Sequence, residues 1–189
     1  MVTTPDAVER RYRSLFERFH ADVLAYCRRR AGVDVAADAA AETFLVAWRR
    51  IEHVPDGDAS LWWLYGVARR VLANHFRSDR RRHDLVRRLR LNQHKPPVVP
   101  ETVVVRREQD ERVLAAMACL RSEDREVLRL ALWEEVPHAA IAEILGCSVP
   151  AVTQRVYRAT RRVAAEYRRL DGHAAGVVGR GRVRRGETA

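Results

Sequence analysis

The sequence predicts an all-α protein: two small helical domains, the second built on a helix-turn-helix, joined by a flexible basic linker. Three observations carry this. Apolar residues recur at steps of three and four through both halves, the period of a helix with one buried face. Strand-period alternation is confined to the short stretch VVPETVVV, and an isolated pair of such runs does not make a stable sheet. Between the halves, arginine clusters lead into prolines that a helix cannot cross. The expected boundaries are a first domain over 7–79, a linker over 80–107, a second domain over 108–170 and a tail without fixed structure over 171–189.

Composition narrows the partners. A chain of 189 residues that is 47% hydrophobic and 32% charged is apolar enough to fold. Lys and Arg outnumber Asp and Glu by 35 to 25, and the resulting charge of +10 favours a polyanionic partner such as nucleic acid. Lys95 is the only lysine, so the abundance of Arg reflects overall codon composition rather than a choice of bidentate donors. Cys27, Cys119 and Cys147 lie far apart, with no CxxC pair and no His at ligand spacing, so neither a disulfide framework nor a metal site is expected, and no cofactor. No apolar run reaches the ~20 residues of a membrane span and the N-terminus lacks a signal-peptide core, so no membrane insertion and a cytoplasmic location are expected.

In the first half, a helix from about Ala7 to Arg30 carries Val8, Tyr12, Leu15, Phe16, Phe19, Val23, Tyr26 and Cys27, with Gly32 expected to end it. A second runs from Asp34 through Ala37, Ala40, Phe44, Ala47, Trp48 and Ile51 until Pro55, Asp56 and Gly57 break it. A third begins at Ser60, read as its N-cap, with Leu61, Leu64, Tyr65, Ala68, Val71, Leu72 and His75 on one stripe. Past the linker, periodicity returns with Val113, Ala116, Met117 and Leu120, and again after Ser122 with Val127, Leu128, Ala131 and Leu132.

The segment PHAAIAEILGCSVPAVTQRVYRATRR carries the chemistry that is most specific locally. Ile141, Ile144 and Leu145 face inward, Ala142 lets a second helix cross closely, Gly146 takes a left-handed turn, and Ser148 caps the next helix. Pro150 sits in the first turn, where its missing N–H costs nothing. The second helix then exposes Ala151, Thr153, Gln154, Arg155 and Arg158, while Val152, Val156 and Ala159 pack inward. Gln154 and Arg155 can read base edges, Thr153 can touch a thymine methyl or a phosphate, and Arg158, Arg161 and Arg162 can neutralise phosphates. The plainer reading is a helical hairpin with a solvated basic face. Turn chemistry, core spacing and exposed basic residues together favour DNA recognition.

The first half makes the assignment more specific. ADVLAYCRRR, DVAADAAAETFLVAWRRI and SLWWLYGVARRVLANHFRSDRRR resemble region two of the sigma-70 family of bacterial RNA polymerase initiation factors, and HAAIAEILGCSVPAVTQRVYRA resembles region four. With only these two regions and a short linker, the chain resembles the extracytoplasmic function subgroup. The resemblance spans about Leu15 to Leu170 and implies a three-helix region two and a helix-turn-helix region four.

It also implies roles. Asp34, Asp38 and Glu42 fall four apart, an acidic stripe on one helix face that would otherwise read as solvated. The resemblance gives Asp34, Asp38, Glu42 and Trp48 to docking on core RNA polymerase at the beta-prime clamp. It gives minus-ten recognition and melting to Trp62, Trp63, Arg69, Arg70, Asn74, Arg77, Arg80 and Arg81, and a pocket for a flipped-out base to the loop HVPDGDAS. Either tryptophan can stack on unpaired bases or pack inward, Trp63 matching the family's usual Trp. Minus-thirty-five contacts fall to Ser148, Ala151, Thr153, Gln154, Arg155, Arg158, Arg161 and Arg162. Partners so implied are core polymerase at the beta-prime clamp and beta flap, promoter DNA and an anti-sigma factor. The pattern departs at Ala41, where the family usually has Gln, at Ala140 in place of Glu, at Pro150 and Ala151 in place of Gly-Thr, and at Thr153 in place of Lys.

Three other classes compete. An enzyme is disfavoured, because no nucleophile, convergent base or phosphate-cradling glycine loop occurs, so no catalytic residues are named. A conventional helix-turn-helix regulator would bind duplex DNA without polymerase, yet has no need of an acidic stripe beside a Trp- and Arg-rich helix. A redox switch would need reactive thiols, whereas all three cysteines fall near apolar faces and are expected to be buried and inert.

Overall fold

The computed structural model describes the backbone over residues 5–89 and 108–180, and side chains over 6–81 and 112–171. All regular elements among them are helical: α1 (Pro5–Arg28), α2 (Val33–Arg49), a 3-10 turn (Ile51–His53), α3 (Ala59–Leu89), α4 (Glu108–Ala118), α5 (Ser122–Leu132), α6 (His138–Leu145) and α7 (Val149–Arg180). The chain divides into two compact units, Met1–Val103 and Val104–Ala189. The VVPETVVV stretch, the rest of the linker from 90 onward and residues 181–189 lie outside the described residues.

In the first unit α1, α2 and α3 pack on one another. Alanine makes this possible: Ala36, Ala39, Ala40 and Ala47 line the inner face of α2 at 0–1% exposure, and so little side-chain bulk lets its neighbours approach closely. The larger side chains Val23, Tyr26, Phe44 and Leu64 then fill the core, each contributing about 1.5–3 kcal/mol by burial. Tyr26 stacks on Tyr65 with ring centres 4.7 Å apart, tying α1 to α3. The one buried hydroxyl in α2, on Thr43, donates to the Ala39 carbonyl at 2.7 Å, so it carries no unsatisfied polar cost.

Several local expectations are corrected. Gly32 does not end α1, which stops at Arg28; it is the N-cap of α2, in extended geometry with φ −61°. Its conformation is open to any residue, and the helix ends instead in a turn in which Ala31 N–H bonds the Cys27 carbonyl. Ser60 is not the N-cap of α3 either. It lies inside the helix, buried, and its hydroxyl donates to the Pro55 carbonyl at 2.6 Å, closing the preceding loop. Ala37 and Trp48 face outward, the buried stripe running one residue away through Ala36, Ala40 and Ala47.

In the second unit α4, α5 and α6 all pack against α7. Met117, Leu120, Leu128 and Ala159 form a core, with Val156 and Val163 against it. On α5 the inward residue is Leu130 at 0% exposure, and Leu132, expected inside, is 60% exposed. α7 runs on to Arg180, so helical backbone occupies the first part of the stretch from 171 that was expected to lack structure. Arg112 on α4 pairs with Asp171 near that point, linking both helices.

The α6–α7 turn follows the chemistry expected of it. Gly146 adopts φ +65°, with Cys147 N–H bonded to the Ala142 carbonyl and Gly146 N–H to that of Glu143, the paired bonds of a Schellman cap. No atom lies within 4 Å of where a Cβ would stand, so only backbone strain opposes a side chain there. Gly146→Ala is therefore expected to cost about 1–2 kcal/mol in chemical denaturation of the full chain. Glu135 sits at φ +52° without being glycine. Glu135→Gly should stabilise by up to about 1 kcal/mol, and equal loss of stability in both variants would refute the account.

Candidate functional site

The outward face of α2 carries Asp34, Asp38 and Glu42, all exposed, followed by Leu45 at 46% and Trp48 at 43% exposure. Acidic at its N-terminal end, this face favours the helix dipole, and it turns apolar toward its C-terminal end. Trp48 stands edge-on to Tyr12 of α1 at 5.0 Å, which holds the indole in place while leaving one side open. Glu42 is not isolated: its Oε1 lies 3.1 Å from Nε2 of His75 on α3.

On α3 the predicted residues share the surface away from the core. Trp63, Arg70, Asn74, Arg77 and Arg81 fall at steps of seven, four, three and four, one continuous helical face; Trp62, Arg69 and Arg80 lie beside it. Both tryptophans and Arg69 are half-buried, and Arg70, Asn74, Arg77, Arg80 and Arg81 are exposed. Because α3 continues unbroken to Leu89, the arginines beyond Phe76 keep helical spacing. Arg77 donates to Asn74 Oδ1 and to the Ala73 carbonyl, which orients its guanidinium along the helix. Phe76, 46% exposed on the same side as Arg69, was not singled out in the sequence. Its signal was available: an aromatic directly before the arginine-rich stretch that begins at Arg77, at helical spacing from Trp62.

In the second unit Ser148 caps α7, its Oγ accepting from Ala151 N–H at 3.4 Å. Thr153, Gln154, Arg158, Arg161 and Arg162 are exposed, and Ala151 and Arg155 are half-buried. The Thr153 hydroxyl is engaged, donating to the Val149 carbonyl at 3.2 Å with His138 Nδ1 3.0 Å away, so its methyl is the part left to meet a ligand. Arg158 reaches Gln154 Oε1 at 3.1 Å and Arg161 the Tyr157 hydroxyl at 3.3 Å. Glu123 and Asp124, read from sequence only as favourable charges at the start of α5, lie 3.9 Å from Arg155 and 3.5 Å from Arg162. No one-dimensional signal links positions so far apart.

The second unit also holds an unforeseen apolar groove of about 690 Å³, lined by Val113, Met117, Leu132, Trp133, Val163 and Tyr167 among others. The exposure of Leu132 and Trp133 is part of this groove. Among the described residues no cluster of three or more His, Cys, Asp or Glu is placed to hold a metal ion, and no helix is long and apolar enough to cross a membrane.

The cysteines divide. Cys27 is buried, and burial pushes its thiol up to about 11, whereas Cys119 is exposed rather than buried as expected, and Cys147 is half-buried. Iodoacetamide at pH 8 should label Cys119 well before Cys27 in the folded chain, since only thiolate reacts. Mass-spectrometric mapping of the first modified residue checks the order, and Cys27 first would contradict it.

These elements define a helix-turn-helix protein that carries a second helical unit with one acidic and one basic, aromatic-bearing face. The Sigma-70 region 2 family matches residues 15–82 and Sigma-70, region 4 matches residues 110–163. The chain belongs to the sigma-70 family. It is 32% identical over 152 residues to the probable RNA polymerase sigma factor RfaY of Xanthomonas campestris pv. campestris, covering 76% of this chain and 37% of that protein. It is 29% identical over 152 residues to the ECF RNA polymerase sigma factor BldN of Streptomyces coelicolor, covering 79% and 58%. It is 27% identical over 148 residues to the RNA polymerase sigma factor YlaC of Bacillus subtilis, covering 77% and 85%. The chain thus spans less than two thirds of the length of two of these relatives.

Solved structures agree on the fold. The sigma factor RpoE, in complex with the anti-sigma factor NepR from Bartonella quintana, matches with TM-score 0.59 and 20% identity, covering 83% of this chain and 96% of that one. CnrH, in complex with the cytosolic domain of CnrY, matches with TM-score 0.57 and 21% identity, covering 87% and 90%.

Proposed function

We propose that the chain is a sigma factor of the extracytoplasmic function type, which binds core RNA polymerase, directs it to a promoter and holds the melted strand during initiation. The observation that carries this reading is one three-helix unit with an acidic α2 face and a basic, tryptophan-bearing α3 face, in a chain that also has a helix-turn-helix. A duplex-binding regulator needs only the last of these.

In this reading Asp34, Asp38, Glu42 and Trp48 meet the beta-prime clamp, and Trp62, Trp63, Arg69, Arg70, Asn74, Arg77, Arg80 and Arg81 take the minus-ten element. The exposed start of α7 takes the minus-thirty-five element through Gln154 and Arg155, with Arg158, Arg161 and Arg162 on phosphates. The working divisions are a first domain over 7–79, a segment over 80–107 that begins as the last turns of α3 and goes on as a linker following nucleic acid, and a second domain over 108–170. The apolar groove of the second unit offers the beta flap a seat, an anti-sigma factor competes with polymerase for this chain, and the site of action is the cytoplasm. The chain supplies binding and strand separation and leaves bond formation to the polymerase.

Reconstituted transcription tests the reading. Purified chain with core polymerase should give promoter-dependent initiation from a randomised promoter pool, and failure to bind core overturns the sigma assignment. Arg155→Ala should lower selectivity at one or two minus-thirty-five positions by roughly five- to 150-fold, the value of a good bidentate base contact. Unchanged selectivity would remove Arg155 from base reading.

A further inference from the structure

The loop between the 3-10 turn and α3 is held from outside by α1. Arg11 donates from Nη2 to the Val54 carbonyl at 2.5 Å and to Asp56 Oδ1 at 2.8 Å. One α1 face lower, seven residues on, Arg18 donates to Asp58 Oδ1 at 3.0 Å. From the other side the Ser60 hydroxyl bonds the Pro55 carbonyl, and Gly57 between the two aspartates takes φ +65°. Every residue from Val54 to Asp58 is therefore either grasped by a side chain or flanked by one that is.

We infer that Arg11 and Arg18 are positioning residues that preform the 54–58 loop as a receptor for an extruded minus-ten base. This rests on the proposed sigma function, for which the family resemblance gives the loop HVPDGDAS a flipped-out base.

Two physical effects converge. A loop that must receive an unstacked base binds better when it is already ordered, because the ordering entropy is not lost on binding. The charges matter as well. Asp56 and Asp58 project at 94% and 77% side-chain exposure, and without a cation beside each they would repel the phosphates flanking the base. Arg11 and Arg18 supply those cations from outside the loop, leaving the carboxylate oxygens they do not engage able to accept from an exocyclic amine. Each exposed pair is worth at most about 1 kcal/mol, so the loop is biased toward its ordered form by the two pairs together with the Arg11 bond to the Val54 carbonyl.

The test uses the full chain in holoenzyme with core polymerase and a promoter library randomised across the minus-ten element. Initiation from each sequence is read together with 2-aminopurine fluorescence for base extrusion. With the unaltered chain, one or more positions should show a sharp base preference and an unstacking signal. Arg11→Ala with Arg18→Ala should flatten that preference roughly tenfold and slow the unstacking signal, while minus-thirty-five preference and core affinity stay unchanged. Arg18→Lys keeps a cation beside Asp58 without touching the loop and should retain preference that Arg18→Ala alone loses. Retained preference in the folded alanine variants, or an Arg18→Lys chain no better than Arg18→Ala, overturns the inference while leaving the sigma reading intact. No promoter-dependent initiation by the unaltered chain overturns both.

Discussion

Replacing Asp38 and Glu42 together by lysine is expected to lower affinity for core polymerase by roughly a hundredfold or more without unfolding the chain. Both side chains are exposed on α2, and surface changes away from packed features usually alter stability by no more than about 0.5 kcal/mol. Their effect on a docked basic surface is much larger, because like charges set against each other cost several kcal/mol and each 1.4 kcal/mol is about tenfold. Glu42 has an internal partner in His75 at 3.1 Å, yet the pair is on the surface and contributes at most about 1 kcal/mol. His75→Ala should therefore leave core affinity within about fivefold, which separates loss of the stripe from loss of its tether. Fluorescence anisotropy of labelled chain titrated with core polymerase reads both. Lysine variants that bind like the unaltered chain would detach the acidic stripe from docking.

The contrast between Asp38 and Ser60 shows what a sequence discloses and what it conceals. Asp34, Asp38 and Glu42 are exposed as spacing implied, because a four-residue step fixes their common face once the helix exists. Ser60 is ambiguous in sequence, because a serine before an apolar stripe is equally suited to capping a helix and to closing a loop onto its own backbone; the fold chooses the Pro55 carbonyl. Leu130 and Leu132 both satisfied the periodicity of α5, and only the position of α7 decided which was inside. The long-range contacts were the least legible. Arg11 with Asp56 and Arg155 with Glu123 join residues that no local pattern relates, and the groove behind Leu132 exists only because three helices converge.

The second large effect belongs to α3. Replacing Arg70, Arg77 and Arg81 together by alanine should reduce the salt dependence of promoter binding by about 2 to 3 units of log–log slope, since each phosphate contact contributes ~0.7 on a single strand and ~0.9 on duplex. Alanine is the strongest helix former, so α3 keeps its shape while losing charge. Trp62→Ala makes the opposite kind of change. A lost stacking platform costs ~1–3 kcal/mol but releases no counterions, so affinity falls while the slope stays where it was. Titrating holoenzyme against a promoter with a premelted minus-ten segment at several KCl concentrations distinguishes these effects. Arg77 is the informative member of the triple, because it already bonds Asn74 and the Ala73 carbonyl and must give up some of that to meet a phosphate. Its single substitution should therefore change the slope by less than a third of the whole. An unchanged slope in the triple variant would mean that this face of α3 does not follow the phosphate backbone. A slope change for Trp62→Ala would mean that the indole acts by ordering neighbouring arginines rather than by stacking.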